Sequence, residues 1–274
     1  MKNRNRLILY VILLVLSISV MVMIKKCSRP VHLPIRDYEQ IAKSDTLRIV
    51  TDYTPLSYRV SGDTVIGFDY ELAHLISKRS GLVVEVYPEV SLSKSLEGLN
   101  ENRYDIVGRP IPITTENKQN YNFAETIQLN KQVLVQRKAE YNNGKKPIRN
   151  QLNLGKKELY IVRDTPTRLR IENLSHEIGD TIYIKEEPVY GAEQLVIMVA
   201  KGDIDYVVCD ETIARKMAKE YSEIDYGTDI SFTQFQSWAL RKNSPVLLDS
   251  LNVWLKEIKK GDEFRSLQKR YFGK

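Results

Sequence analysis

The sequence has few of the side chains that bind metals or form disulfide bonds. Its 274 residues include 2 cysteines and 3 histidines. Cys27 and Cys209 are far apart, and Cys209 follows the apolar residues YVV, which predicts a buried thiol rather than a disulfide. The histidines are scattered and lack the spacing of metal ligands. We therefore expect no metal site and no cofactor.

Glycine and proline are also scarce, with 13 and 10 copies, which excludes a low-complexity or collagen-like chain. An apolar content of 42% is enough to bury one large core or two modest ones. The composition therefore predicts a globular protein.

Acidic residues are absent before Asp37, and this absence explains the net charge of +6. Residues 31–274 hold 35 basic residues against 35 acidic ones. No basic stripe with interleaved aromatic residues is present, so we expect no nucleic-acid partner. The basic residues near the N-terminus are Lys2, Arg4, Arg6, Lys25, Lys26 and Arg29.

One long apolar run, from Leu7 to Ile24, lies between these basic residues and contains no charge. A helix of this length just spans a hydrocarbon core of about 30 Å. It is longer than the apolar part of a typical signal peptide, and no small-residue cleavage site follows it, although a processed signal remains the alternative. We expect residues 1–30 to form an uncleaved membrane anchor and residues 31–44 a linker. The flanking charges are balanced and do not set the orientation.

From Asp45 onward, strand and helix patterns alternate, which predicts an α/β fold with parallel strands. The strand YDIVG at 104–108 is followed by a loop that contains Pro110 and Pro112. The series restarts after the polar segment at 139–151, which predicts two lobes. A long helix near the C-terminus has Ser244 as its predicted N-cap and Pro245 as its first residue, and it carries an apolar stripe that needs burial.

If that helix returns to the first lobe, the extended segments QVLVQ and FQSWAL form a two-strand hinge. The predicted division is lobe 1 at 45–136, lobe 2 at 137–232, and a hinge strand with C-terminal helices at 233–274.

Four segments resemble bacterial solute-binding proteins of family 3, which have the type II periplasmic-binding-protein fold. They are VIGFDYELAHLISKRSGL, NENRYDIVGRPIPITTENKQNYNFAETI, KGDIDYVVCDETIA and the C-terminal segment from Trp238 to Lys274. The C-terminal segment is most similar to the ligand-binding module of membrane-bound lytic murein transglycosylase F. This resemblance implies a two-lobe clamp that closes on a small solute.

The resemblance also implies ligand contacts. Thr114 matches a threonine whose hydroxyl binds the ligand, and Asp210 matches an acid that holds a ligand ammonium. Tyr53 and Tyr58 match aromatic positions that cover the ligand. For each of them a structural role is the alternative: local backbone bonding, helix capping or packing.

Two further candidates come from the residues themselves. Arg109, after YDIVG, could pair with a ligand carboxylate, or be an ordinary strand-end arginine. Thr165 precedes a helix whose N-terminus could accept an anion, or it only caps that helix. The carboxylate-binding arginine of the family aligns with Asn117. Either Arg109 or Lys118 replaces it, or the ligand is not an α-amino acid.

The resulting expectation is a binding protein anchored in the cytoplasmic membrane, with its soluble domain on the periplasmic side. Its ligand would be an amino acid, a peptide or a cell-wall fragment, and its partner a transporter or the cell-wall machinery. We expect no enzymatic activity, because the similar transglycosylase carries catalysis in a separate domain that would begin where this chain ends. The alternatives are a cleft enzyme of the cyclohexadienyl-dehydratase type and a degenerate module that binds nothing.

Overall fold

The computed structural model describes residues 13–17, 19, 21 and 36–273. Residues 13–17, 19 and 21 are helical. No helix built from the described residues has both the length and the apolar character that a membrane crossing requires. The predicted anchor at Leu7 to Ile24 lies mostly outside the described residues.

Residues 36–273 form strands and helices that alternate along most of the chain. The strands are β1 (Thr46–Thr51), β2 (Arg59–Ser61), β3 (Thr64–Ile66), β4 (Val83–Pro88), β5 (Ile106–Pro112), β6 (Tyr121–Phe123), β7 (Gln128–Asn130), β8 (Gln132–Arg137), β9 (Glu158–Val162), β10 (Tyr183–Glu187), β11 (Val207–Asp210), β12 (Ile224–Asp229) and β13 (Gln234–Arg241). The helices are α1 (Tyr38–Ser44), α2 (Phe68–Ser80), α3 (Leu92–Asn100), α4 (Thr115–Asn120), α5 (Thr167–Ile178), α6 (Ala192–Lys201), α7 (Glu211–Met217), α8 (Pro245–Ile258) and α9 (Asp262–Phe272).

The strands form two large sheets, and each sheet is the centre of one lobe. The lobe 1 sheet has the order β4-β1-β5-β13-β6, with β7 paired to β13, and the lobe 2 sheet has the order β10-β9-β11-β8-β12. In both sheets three parallel strands are joined by an antiparallel one, β13 or β8. The α/β two-lobe prediction is confirmed.

The chain crosses between the lobes twice, at neighbouring positions. It leaves the lobe 1 sheet at Asn130 and enters the lobe 2 sheet at Gln132. It returns between Asp229 and Gln234. The two crossings are hydrogen-bonded, because the backbone oxygen of Gln132 accepts from the N–H groups of Ile230 and Ser231 at 2.8 and 3.2 Å.

The prediction that the first part of lobe 1 ends at residue 136 is therefore wrong. This part ends at Asn130, one strand earlier. β8 pairs with β11 and β12 in lobe 2. The extended segment from Gln128 to Arg137 is broken only at Lys131. Its residue pattern predicts extended backbone but does not say which sheet each half joins.

The predicted linker at 31–44 is also wrong in its second half, since residues 38–44 form α1. Asp37 caps this helix by accepting from the backbone N–H of Tyr38, and Ile41 is fully buried. The carboxylate of Asp37 also accepts from the backbone N–H groups of Val246 and Leu247 at 3.2 and 2.7 Å. One side chain thus caps both α1 and α8, whereas Ser244 occupies the N-cap position of α8 without a side-chain cap bond.

Helix α8 docks on lobe 1. Leu247, Leu251 and Leu255 are fully buried in one core with Leu72 and Ile76 of α2. Large-to-small changes at such positions typically cost about 2 to 5 kcal/mol. The C-terminal helices therefore join the first and last parts of the chain into a single lobe.

Strand β5 continues beyond the point at which the sequence predicts a loop. It runs through Pro110 to Pro112, and its pairing with β13 is irregular opposite Trp238. Gly108 leaves room for the side chain of Ile49 on β1, since a Cβ at position 108 would lie 2.5 Å from a methyl group of Ile49. Pro110 lies within the irregular part of the pairing, where a missing backbone N–H is tolerated, whereas Pro112 is in register with Gln236.

Candidate functional site

The carboxyl ends of the parallel strands in lobe 1 present an ion pair. Asp52 directly follows β1, and Arg109 lies on the neighbouring strand β5. Their side chains are joined by a contact of 3.0 Å between Nη2 and Oδ2, with exposed fractions of 11% for Arg109 and 19% for Asp52. Nη1 of Arg109 also donates to the carbonyl oxygen of Val90 at 3.1 Å. The guanidinium is therefore engaged within lobe 1.

The matching edge of lobe 2 presents acceptor groups. Asp210 ends β11 and is the N-cap residue of α7, but its side chain makes no capping hydrogen bond. Gln132 lies opposite Asp210 on β8 and donates from Nε2 to the Thr167 hydroxyl. Oε1 of Gln132 and Oε1 of Glu193, in the first turn of α6, are buried and have no hydrogen-bond partner within 36–273.

These groups act on one another across the boundary between the lobes. The pKa of Asp210 is raised to about 6, chiefly by burial and further by the charge of Asp52, while Arg109 opposes the shift. Burial also raises the pKa of Asp52. The positive charge of Arg109 opposes this rise, and the negative charge of Glu193 adds to it. We call Asp52, Arg109, Glu193 and Asp210 the charged cluster. It holds three acids and one cation.

An aromatic row begins at Tyr53, directly after Asp52 in the chain. Tyr53 and Tyr58 lie with ring centroids 6.0 Å apart, and Tyr58 meets Tyr70 edge-on at 5.4 Å. The loop that carries them is fixed on α2, where the Phe68 N–H donates to the Leu56 carbonyl at 2.6 Å. The structure thus brings the two predicted tyrosines together, and Tyr53 remains half exposed.

Thr114 has a local role as the N-cap of α4. Its hydroxyl oxygen accepts from the backbone N–H of Asn117 at 3.1 Å. Asn117 in turn donates from Nδ2 to the carbonyl oxygen of Pro112 at 2.9 Å, so its amide is used within the same turn. Lys118 is exposed and lines a different cavity beside Phe123 and Lys259. Neither residue provides a cation to the charged cluster.

Thr165 does not cap α5. Its hydroxyl donates to the Val162 carbonyl at 2.8 Å, and the N-cap residue is Pro166. Asp164, in the same turn, adopts left-handed backbone with φ of 58°. The helix therefore begins at Thr167, one residue later than the predicted threonine cap would place it.

A cavity of about 530 Å³ lies between the lobes. Pro55 and Leu56 line it from lobe 1 and Thr212 from lobe 2, a few residues after Asp52 and Asp210 in the chain. The four residues of the charged cluster do not line this cavity. The basic side chains around it are Arg59, Arg215, Lys216, Lys219 and Arg270.

Asp52, Glu193 and Gln132 did not emerge as candidates from the sequence. Asp52 directly follows an apolar strand, as Asp210 ends one, so its position could have suggested it. Glu193 does not stand out, because acids are common in the first turn of a helix, where the helix dipole stabilises their negative charge. Its approach to Asp52 depends on lobe packing, which no local pattern encodes.

The model of the bacterial extracellular solute-binding proteins, family 3, matches residues 47–274. The chain belongs to this family. Membrane-bound lytic murein transglycosylase F of Photobacterium profundum is 25% identical over 240 residues, covering 87% of this chain and 46% of that protein. The chain thus spans just under half the length of this relative.

Solved structures of binding proteins have the same two-lobe fold. A variant of ArgBP from T. maritima superposes with a TM-score of 0.72 at 20% identity, over 86% of this chain and 99% of that chain. The ancestral amino acid-binding protein AncCDT-1, a precursor of cyclohexadienyl dehydratase, gives a TM-score of 0.70 at 25% identity, over 85% and 98%.

Proposed function

We propose that this family 3 protein is anchored in the cytoplasmic membrane and closes on a small polar solute on the periplasmic side. The observation that carries this proposal is the charged cluster, in which Asp52 and Arg109 of lobe 1 act on Asp210 of lobe 2. A ligand between the lobes would replace the water that these groups lose on closure. Buried charges need such partners, since leaving one unpaired is costly.

The membrane attachment is supported by the sequence and by the relatives. The uncharged run from Leu7 to Ile24 has the length of a spanning helix. The relative from Photobacterium profundum is named membrane-bound. We propose that the anchor holds the binding lobes near a membrane partner, either a transporter or the cell-wall machinery. The solute would be an amino acid, a peptide or a cell-wall fragment.

A panel of amino acids, dipeptides and muropeptides tests this proposal by thermal unfolding of the full chain in detergent. A solute present at 100 times its Kd should stabilise the protein by about 2.7 kcal/mol. Mass spectrometry of the mixture should recover that solute unchanged. A panel in which no solute shifts the unfolding temperature would contradict binding and favour a degenerate module.

A cleft enzyme is the second candidate, because Asp210 has the pKa of about 6 that suits a general acid. AncCDT-1 is named as both an amino acid-binding protein and a precursor of an enzyme. We favour binding without catalysis. Conversion of a stabilising solute to product by the wild-type chain, lost in Asp210→Ala, would overturn this preference.

A further inference from the structure

The charged cluster and Gln132, which lies opposite Asp210, contain more acceptors than the protein satisfies. Oε1 of Glu193 and Oε1 of Gln132 are buried without hydrogen-bond partners in the described part of the chain. The Asp210 carboxylate forms no cap bond with α7. Buried polar groups normally have partners, and exceptions call for an explanation. Three acceptors at one sheet edge fit a ligand that supplies several N–H donors.

The charges favour a cation in the same place. The charged cluster has three acidic side chains and one basic side chain. The basic one, Arg109, is already paired with Asp52 at 3.0 Å. Within 36–273, Arg109 is the one cation that lowers the pKa of Asp52 or of Asp210. A bound ammonium or guanidinium would balance the remaining acids and donate to them.

A carboxylate next to that cation would lack the cationic side chain that the sequence analysis looked for at Arg109, Asn117 or Lys118. Asn117 occupies the position of the arginine in the family, and its amide bonds to Pro112. Lys118 lies at another cavity, and Arg109 is engaged by Asp52 and by the Val90 carbonyl. A carboxylate one carbon away from the ammonium would then be buried among acids, which is strongly unfavourable.

We propose that the charged cluster binds the cationic head of a solute that has no carboxylate beside it, such as a primary amine, with Asp52, Glu193 and Asp210 as direct contacts. This inference rests on the proposed solute-binding function. It concerns only the groups next to the cation. Cations for an anionic group farther along the solute are present around the cavity between the lobes, which is bordered by Arg59, Lys216 and Lys219.

Matched pairs of an amine and its parent amino acid test the inference by calorimetric titration of the full chain. Tyramine with tyrosine and isoamylamine with leucine are suitable, because the single ammonium of each amino acid is adjacent to its carboxylate. Tyramine or isoamylamine should bind at least tenfold more tightly than its partner. Tighter binding of the amino acid in both pairs would refute the inference and leave solute binding intact.

Variants locate the contact. Asp210→Asn should weaken binding of the amine at least tenfold, and Glu193→Gln should also weaken it, because each change removes a negative charge that faces the ammonium. Asp205→Asn is the matched control. Asp205 precedes β11, the strand that Asp210 ends, and its side chain is 57% exposed. Circular dichroism confirms that each variant folds. Equal losses in Asp205→Asn and Asp210→Asn would contradict a direct contact.

The remaining outcomes also decide between the two proposals. One outcome is that none of the four probes binds but a neutral or anionic solute from the wider panel does. The proposed solute binding would then hold, and the inference of a cationic head group would be wrong. If no solute of either panel binds, the proposed function itself fails.

Discussion

Replacing Asp69 by asparagine should stabilise the protein at neutral pH. Asp69 lies in the first turn of α2 and is only 3% exposed. Its Oδ1 accepts from the indole N–H of Trp238 at 2.9 Å, which joins α2 to β13. Burial raises the pKa of Asp69 to about 7, against the lowering effect of its bonds to Trp238 and Ser57.

The sign of the effect follows from proton binding. Folded protein holds the Asp69 proton up to about pH 7, whereas the unfolded chain releases it near the ordinary value of 3.8. The free energy of unfolding therefore falls as the pH rises from about 4 to 7. A difference of about 3 between the two pKa values corresponds to about 4 kcal/mol. Asparagine retains an acceptor for Trp238 and has no charge to bury.

Urea unfolding at pH 5 and pH 8 measures this contribution. Asp69→Asn should exceed the wild type by up to about 4 kcal/mol at pH 8, with a smaller difference at pH 5. Asp249→Asn, at an exposed position of α8, is the control and should change stability by less than about 0.5 kcal/mol. A variant that is less stable than the wild type at pH 8 would refute the assignment of a buried, proton-binding carboxyl.

Three further substitutions test other parts of the account. Gly67→Ala should cost roughly 3 kcal/mol in urea unfolding, because φ is 148° and a Cβ would lie 2.2 Å from the Ser57 carbonyl oxygen; an unchanged midpoint would contradict this packing. Asp37→Ala should cost about 2 kcal/mol by removing the caps of α1 and α8, and Asp37→Asn should cost less; equal losses would show that capping is not the cause. Asn117→Arg should improve the affinity for tyrosine relative to tyramine at least tenfold in calorimetry, by supplying a cation for the carboxylate; an unchanged ratio would place this position outside the cleft.

The sequence predicts those features of the fold that depend on local patterns. Helix α2 ends at Gly81, which adopts the left-handed conformation with φ of 78°. The hairpin of β2 and β3 turns at Gly62 and Asp63, as its turn residues indicate. The alternation of strands and helices then predicts two α/β lobes. Each of these inferences uses residues that are near one another in the chain.

Contacts between distant segments are not predictable in this way. Asp37 caps α8 across about 210 positions, and Trp238 reaches Asp69 across 169. The pairing of Arg109 with Asp52 likewise depends on the order of strands in the sheet. This pairing matters most for the proposed function, because it engages the cation that the sequence suggests for a ligand carboxylate.

Closure of the two lobes on a solute is measured most directly by the distance between spin labels on opposite lobes. Val90 and Val189 follow the edge strands β4 and β10 and are 64% and 77% exposed, so each can carry a label after replacement of Cys27 and Cys209. With a solute that stabilises the chain, we expect the distance to shorten and its distribution to narrow, and Asp210→Asn to abolish both changes. A solute that binds at one site per chain without altering this distance would contradict the account.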